Sequence, residues 1–239
     1  MSTTPFLHFT EDIERVEAIL NLAEQQLLAG GEALIINDLH ASAIASSFGA
    51  MDAYLCDKYV DCVTAVLKAY VEKKWQGDLP AHYAKTMLPA GEVLKTTRQS
   101  RPNWGIRMSA RKLMERNNML SISIIHEHFN PILSSDHKLW GDFIPILIAK
   151  NRKRFTKVVP DDLLGLNNEK TLKLRKSAIA AVKKRIGSIV QIRHDWIHNC
   201  GRPKSSINKY SKGQAKAFVN DIKTLVQELD KFIEDNRRA

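Results

Sequence analysis

The chain has 239 residues, 44% hydrophobic and 26% charged, proportions that exclude a disordered or low-complexity protein and suit one ample core or two small ones. Lysine and arginine exceed aspartate and glutamate by 36 − 26 = 10, which excludes an acidic solvating protein and favours a polyanionic partner. Cys56, Cys62 and Cys200 are odd in number and form no C-x-x-C pair, Glu11, Asp12 and Glu14 stand where a signal peptide would be apolar, and no run approaches the ~18 apolar residues of a membrane span. A reducing, cytoplasmic location without disulfides or membrane insertion is the default expectation.

In chain order, Thr10 before Glu11-Asp12-Ile13 reads as the cap of a helix that runs to Leu28 and stops at Gly30-Gly31, with Ile13, Val16, Leu20, Ala23 and Leu27 buried. Asn37 or Asp38 caps a long second helix, whose stripe from Ile44 through Phe48, Met51, Leu55, Tyr59, Cys62 and Val66 to Tyr70 continues almost to Trp75. Asp52 lies beside this stripe and is expected to be half-buried. Pro80, Pro89 and Pro102 then break the pattern, so residues 76–103 read as irregular, with a turn of helix near Val93.

Trp104 to Asn117 resumes helical spacing, with Arg107, Arg111, Lys112 and Arg116 on a basic face beside Trp104. His126-Glu127-His128 precedes the break at Asn130-Pro131, and its adjacent histidines point apart around a helix, which suits a metal poorly. Phe143 to Ile148 is a buried apolar run around Pro145. Lys150-Asn151-Arg152-Lys153-Arg154 is the densest basic run, either a phosphate grip or a solvated helix end. Pro160 opens another helical turn, and Asn167 or Asn168 caps a long helix that reaches the richest ionisable stretch of the chain. A last helix starts near Lys212 and buries Ala215, Phe218, Val219, Ile222, Leu225, Val226, Leu229 and Phe232. The pattern holds no strand signal, Gly-rich phosphate loop or repeat, and predicts an all-α protein. Positive charge gathers towards the end: residues 1–149 carry 14 basic and 17 acidic side chains, and residues 150–239 carry 22 and 9.

The ionisable stretch is Arg193-His194-Asp195-Trp196-Ile197-His198-Asn199. Apolar residues before it, at Ile179, Val182, Ile186, Ile189 and Val190, define an inward line that continues onto Arg193 and Ile197. A guanidinium there needs a partner or a cleft, unless its head reaches water along its own stem; Asp52 is one candidate partner. His198 falls in the last turn before the stop residues Asn199 and Gly201, where the helix dipole favours a cation and places a proton donor. Five residues separate Arg193 from His198, so on a straight helix they point about 140° apart. Either the helix unwinds after Trp196 or a second copy completes the cleft.

Arg193-His194-x-x-x-His198 resembles the R-x4-6-H signature of the HEPN superfamily, in which His194 fits the polar position after the arginine. Ala43-Ile44-Ala45-Ser46-Ser47-Phe48-Gly49-Ala50-Met51-Asp52-Ala53-Tyr54-Leu55 is similar to the first core helix of bacterial HEPN domains of the RiboL-PSP kind. The resemblance covers roughly residues 34–75 and 170–236. It implies a single domain over 1–239, a four-helix up-down HEPN bundle with core helices at about 34–75 and 168–236 and an insertion at about 76–165. It further implies a metal-independent endoribonuclease, without cofactor, that leaves a 2′,3′-cyclic phosphate. His198 then serves as acid or base, Arg193 holds the phosphate, and His194, Asp52, Asp195 and Asn199 support them. Lys150, Arg152, Lys153, Arg154, Arg202 and Lys204 are the expected RNA contacts. The expected partners are single-stranded RNA such as tRNA or mRNA, a second copy of the chain, and an antitoxin or antiviral defence protein.

Two other readings stay open. A non-catalytic HEPN module that binds RNA, nucleotide or a protein would use Arg193 and His198 structurally. A zinc hydrolase would use His194 and His198, which have metal-ligand spacing, but Asp195 stands where the zincin base is Glu and Lys204 where its third ligand belongs.

Overall fold

The computed structural model describes residues 4–74, 78–79, 88, 104–115, 119, 121–134, 136–201 and 206–237. The described residues form α-helices and short 3-10 turns, and their one β-type pairing is an isolated bridge between Leu133 and Arg237. The helices are α1 (Thr4–Leu28), α2 (Ala33–Val71), α3 (Trp104–Met114), α4 (Ile122–Phe129), α5 (Leu139–Ala149), α6 (Lys153–Thr156), α7 (Asn168–Asn199) and α8 (Lys212–Asn236). The all-α expectation therefore holds. No helix among the described residues is long and apolar enough to cross a membrane. The expectations for 76–103 fall almost wholly outside the described residues, as do those for Trp75, Arg116, Asn117, Arg202 and Lys204.

The chain divides into two compact units, one of residues 1–51 and 140–231 and the other of residues 52–139 and 232–239. The cuts fall inside α2 and α8, not at the expected insertion limits near 76 and 165. α5 from Trp140 onward belongs to the first unit, and its Phe143, Ile144, Leu147 and Ile148 are buried.

In the first unit α1 begins at Thr4, ahead of the expected cap. Thr10 lies inside the helix with its hydroxyl donating to the Phe6 carbonyl at 2.9 Å, and Pro5 and Phe9 extend the buried stripe. α2 likewise starts before Asn37, so that side chain is free for another task. Asn167 caps α7 as expected, its Oδ1 accepting from the Lys170 amide at 2.9 Å. α8 ties the unit together. Its Lys223 reaches Glu17 on α1 at 2.8 Å, and Lys212 and Lys216 both reach Glu24.

Two buried carboxylates on α8 bind harder than these surface pairs. Asp221, only 3% exposed, accepts from Arg185 of α7 (Nε, 2.7 Å) and from Arg154 (Nε, 3.0 Å). The Arg185 guanidinium also stacks on Phe218, 3.9 Å from its ring centre. Two turns further along α8 is Glu228, which is buried and takes Lys150 on one oxygen and Arg152 on the other, the latter at 3.0 Å. Burial alone would raise the Glu228 carboxyl, but the hydrogen bonds and charges of Lys150 and Arg152 outweigh it and hold the group below its ordinary value.

The second unit repeats this pairing. Its Lys58, 1% exposed, donates to Glu234 at 2.6 Å, and Glu234 also takes Arg237 at 3.1 Å. Arg107 pairs with Asp61, and Arg111 approaches Asp57 at 3.5 Å. The basic face of α3 is thus directed at the acids of α2. His128 is structural, donating from Nδ1 to the Ile124 carbonyl at 2.9 Å with its ring edge against Tyr59.

Because removing one member strands buried charges, Asp221→Ala should lower the free energy of unfolding by about 3 kcal/mol, read as an earlier midpoint in urea. Glu228 has a depressed folded-state pKa, so its contribution is complete above the ordinary value of 4.5 and is lost as pH falls below it. The stability gap between the native chain and Glu228→Gln should therefore be full at neutral pH and close on acidification, as followed by urea melts at stepped pH.

Candidate functional site

The C-terminal turns of α7 carry the candidate residues. The line of buried residues is Ala178, Val182, Ile186, Ile189, Ile192 and Asp195. It does not run onto Arg193 and Ile197, as the spacing predicts. The stripe takes three-residue steps after Ile186, which rotates the buried face and turns Ile197 outward to 52% exposure. The inward charge is Asp195, 6% exposed, and Arg193 stands half-buried at the margin.

Asp195 is well supplied with donors. Its Oδ1 accepts from Gln191 Nε2 at 2.8 Å and its Oδ2 from Asn208 Nδ2 at 3.3 Å. The backbone carbonyl of the same residue accepts from the Gly201 amide at 2.9 Å, closing the helix. α7 stays helical through Asn199 and ends on Cys200 and Gly201, both left-handed with φ of 46° and 74°. Gly201 meets this demand without a Cβ penalty. The helix does not unwind after Trp196, so Arg193 and His198 of one copy stay about 140° apart.

His194 and His198 do share a face. Both are exposed, and their ring centres are 4.7 Å apart. Going back along the helix, Lys176, Lys183 and Lys184 occupy the same outward side, exposed and without ion pairs among the described residues. Lys183 precedes His194 by three turns, about 16 Å along the axis and about 20° around it. Asn199, the other supporting residue expected here, is exposed at the helix end. The described residues contain no group of three or more His, Cys, Asp or Glu able to hold a metal ion.

The remaining expected residues lie elsewhere. Asp52, half-buried in the second unit, accepts from the Met119 amide at 2.6 Å. Lys150, Arg152 and Arg154 are engaged by Glu228 and Asp221, which leaves Lys153 as the exposed member of that run without an ion pair among the described residues.

Sequence reasoning missed the segment after the motif. Asn208 to Tyr210 is clamped by α2: Asn37 donates to the Asn208 carbonyl at 2.9 Å and accepts from the Tyr210 amide at 2.8 Å, and His40 Nδ1 donates to the Tyr210 carbonyl at 2.9 Å. Burial pushes the Tyr210 phenol up, a hydrogen bond with Asn208 opposes this, and the nearby Asp195 carboxylate adds to the rise. The available signal was Asn37, too deep in its helix to be a cap. Comparison of the chain with protein-family models, curated proteins and solved structures finds no match.

Asp195→Ala should leave the Asn208 amide without its acceptor and cost about 1–3 kcal/mol. Faster amide hydrogen exchange over 207–211 is the expected sign, with no such change in His198→Ala, whose exposed ring holds nothing in place.

Proposed function

We propose that the chain is a metal-independent endoribonuclease of the HEPN type, acting on single-stranded RNA. The observation that carries this reading is the pair of exposed imidazoles, His194 and His198, side by side on the face of α7 that also presents Lys176, Lys183 and Lys184, which have no ion pair among the described residues. Transesterification of RNA needs one group to take the proton of the 2′-hydroxyl and another to give a proton to the departing 5′-oxygen. The 2′-oxygen bonds to phosphorus, the phosphorus–5′-oxygen bond breaks, and a 2′,3′-cyclic phosphate and a 5′-hydroxyl result. Two imidazoles supply both proton transfers. Lys183 and Lys184 would bind the strand through its phosphates.

Arg193 faces another side of the same helix, so in this reading its guanidinium offsets the phosphate charge at the His194–His198 pair of a second copy. The same geometry favours, as a second reading, a non-catalytic RNA-binding module in which the half-buried Arg193 is structural.

Purified protein should cut single-stranded RNA in excess EDTA, leave a 2′,3′-cyclic phosphate, and spare DNA, which lacks the 2′-hydroxyl. His198→Ala and His194→Ala should each slow cleavage by about 100-fold or more without shifting the unfolding midpoint. Replacing Lys176, Lys183 and Lys184 with Gln should flatten the salt dependence of RNA binding by about 2 in log–log slope. Salt-dependent binding without cleavage would favour the module. Cleavage at the native rate by the His194→Ala/His198→Ala double variant would overturn the catalytic assignment, and activity lost in EDTA but restored by zinc would give the histidines to a metal.

A further inference from the structure

A pocket of about 620 Å³ opens in the first unit between the end of α1, the first turns of α2 and the clamped segment before α8. That volume is typical of small-molecule sites. Leu27, Leu34, Ile36 and Ile207 line it with hydrocarbon. Most of its polar groups are already committed: Asn37 uses both ends of its amide on the segment's backbone, and Lys212 is held by Glu24.

The polarity that remains is one-sided. His40 is 4% exposed and spends Nδ1 on the Tyr210 carbonyl. It makes no other hydrogen bond among the described residues, and its ring is part of the pocket lining. Lys209, also in the lining, is exposed and has no ion pair among the described residues. Ala33 and Leu34 line the pocket from the first turn of α2, which contains no acidic side chain. The amide of Ile36 is bonded to the Glu32 carbonyl, so that backbone donor is already used.

An apolar body with a single anionic head fits this distribution. We propose that the pocket binds a monocarboxylate with an aliphatic or aromatic body, its head held by Lys209 and His40 Nε2 and its body laid against Leu27, Leu34, Ile36 and Ile207. With Nδ1–H kept on the Tyr210 carbonyl, a proton shared between Nε2 and a carboxylate oxygen completes the contact. The ligand would rest on the segment that Asn208 ties to Asp195, and so stiffen the end of α7. This site stands independently of the ribonuclease reading.

The test is calorimetric titration of the full chain with octanoate, octanol and octylamine, three probes with one body and different heads. Octanoate should bind saturably at one per chain and at least tenfold tighter than octanol, with no binding of octylamine. Octanoate should also slow amide exchange over 33–40 and 207–211. Leu34→Glu, at an exposed rim position, should abolish binding, and Lys209→Gln should weaken it about tenfold. His40→Gln should weaken it as well; if that variant unfolds because the clamp is lost, the two exposed substitutions still decide the matter. Equal affinity for octanol, several octanoates per chain, binding indifferent to Leu34→Glu, or no saturable octanoate binding would each overturn the proposal.

Discussion

The first unit depends on two carboxylates that α8 carries into the interior, Asp221 and Glu228. A buried carboxylate without a cation costs several kcal/mol, so the fold must deliver cations to both. It draws Arg185 from α7, Arg154 from α6, and Lys150 and Arg152 from the chain between α5 and α6. These contacts fix how three stretches distant in sequence meet along one helix. They also settle what becomes of the densest basic run, which is largely consumed internally, whereas Lys176, Lys183 and Lys184 on the outward side of α7 have no ion pair among the described residues.

The end of α7 follows the same logic on a smaller scale. Asp195 is buried with no ion pair among the described residues and is served by the side-chain amides of Gln191 and Asn208. Asn208 thereby brings the following segment back across the helix end, where Asn37 and His40 of α2 take up its backbone groups. A buried backbone needs such partners. The outcome is a firm inner side, closed by Asp195, and an open outer side with His194, Ile197 and His198. The ribonuclease proposal would use these accessible imidazoles for its proton transfers.

In the second unit, burial shapes reactivity as well as pairing. Desolvation raises the Cys56 thiol to about 12, with the Asp52 and Asp57 charges adding to the rise, and it raises Cys62 to about 11 against the opposing charge of Lys58. Both thiols are therefore poor nucleophiles. The pairing of Arg107 and Arg111 with Asp61 and Asp57 gives the basic side of α3 a structural partner within its own unit.

Local patterns in the sequence determined the all-α class, the ends of α7, the start of α8 and the half-buried state of Asp52, because capping residues and apolar periodicity act over a few residues. The candidate chemistry of Arg193, His194 and His198 was equally legible, since residue type and spacing are local facts. Which of two adjacent lines on α7 turns inward was not. Ile192 and Arg193 are equally near the projected stripe, and the choice falls to Ile192 because Asn208, thirteen positions after Asp195, supplies that side with a partner. The fate of Lys150, Arg152 and Arg154 was hidden for the same reason: a basic run looks alike in sequence whether it meets water, RNA or a buried carboxylate. Only the packing of α8, which places Asp221 and Glu228 opposite that run, decided that it meets carboxylates.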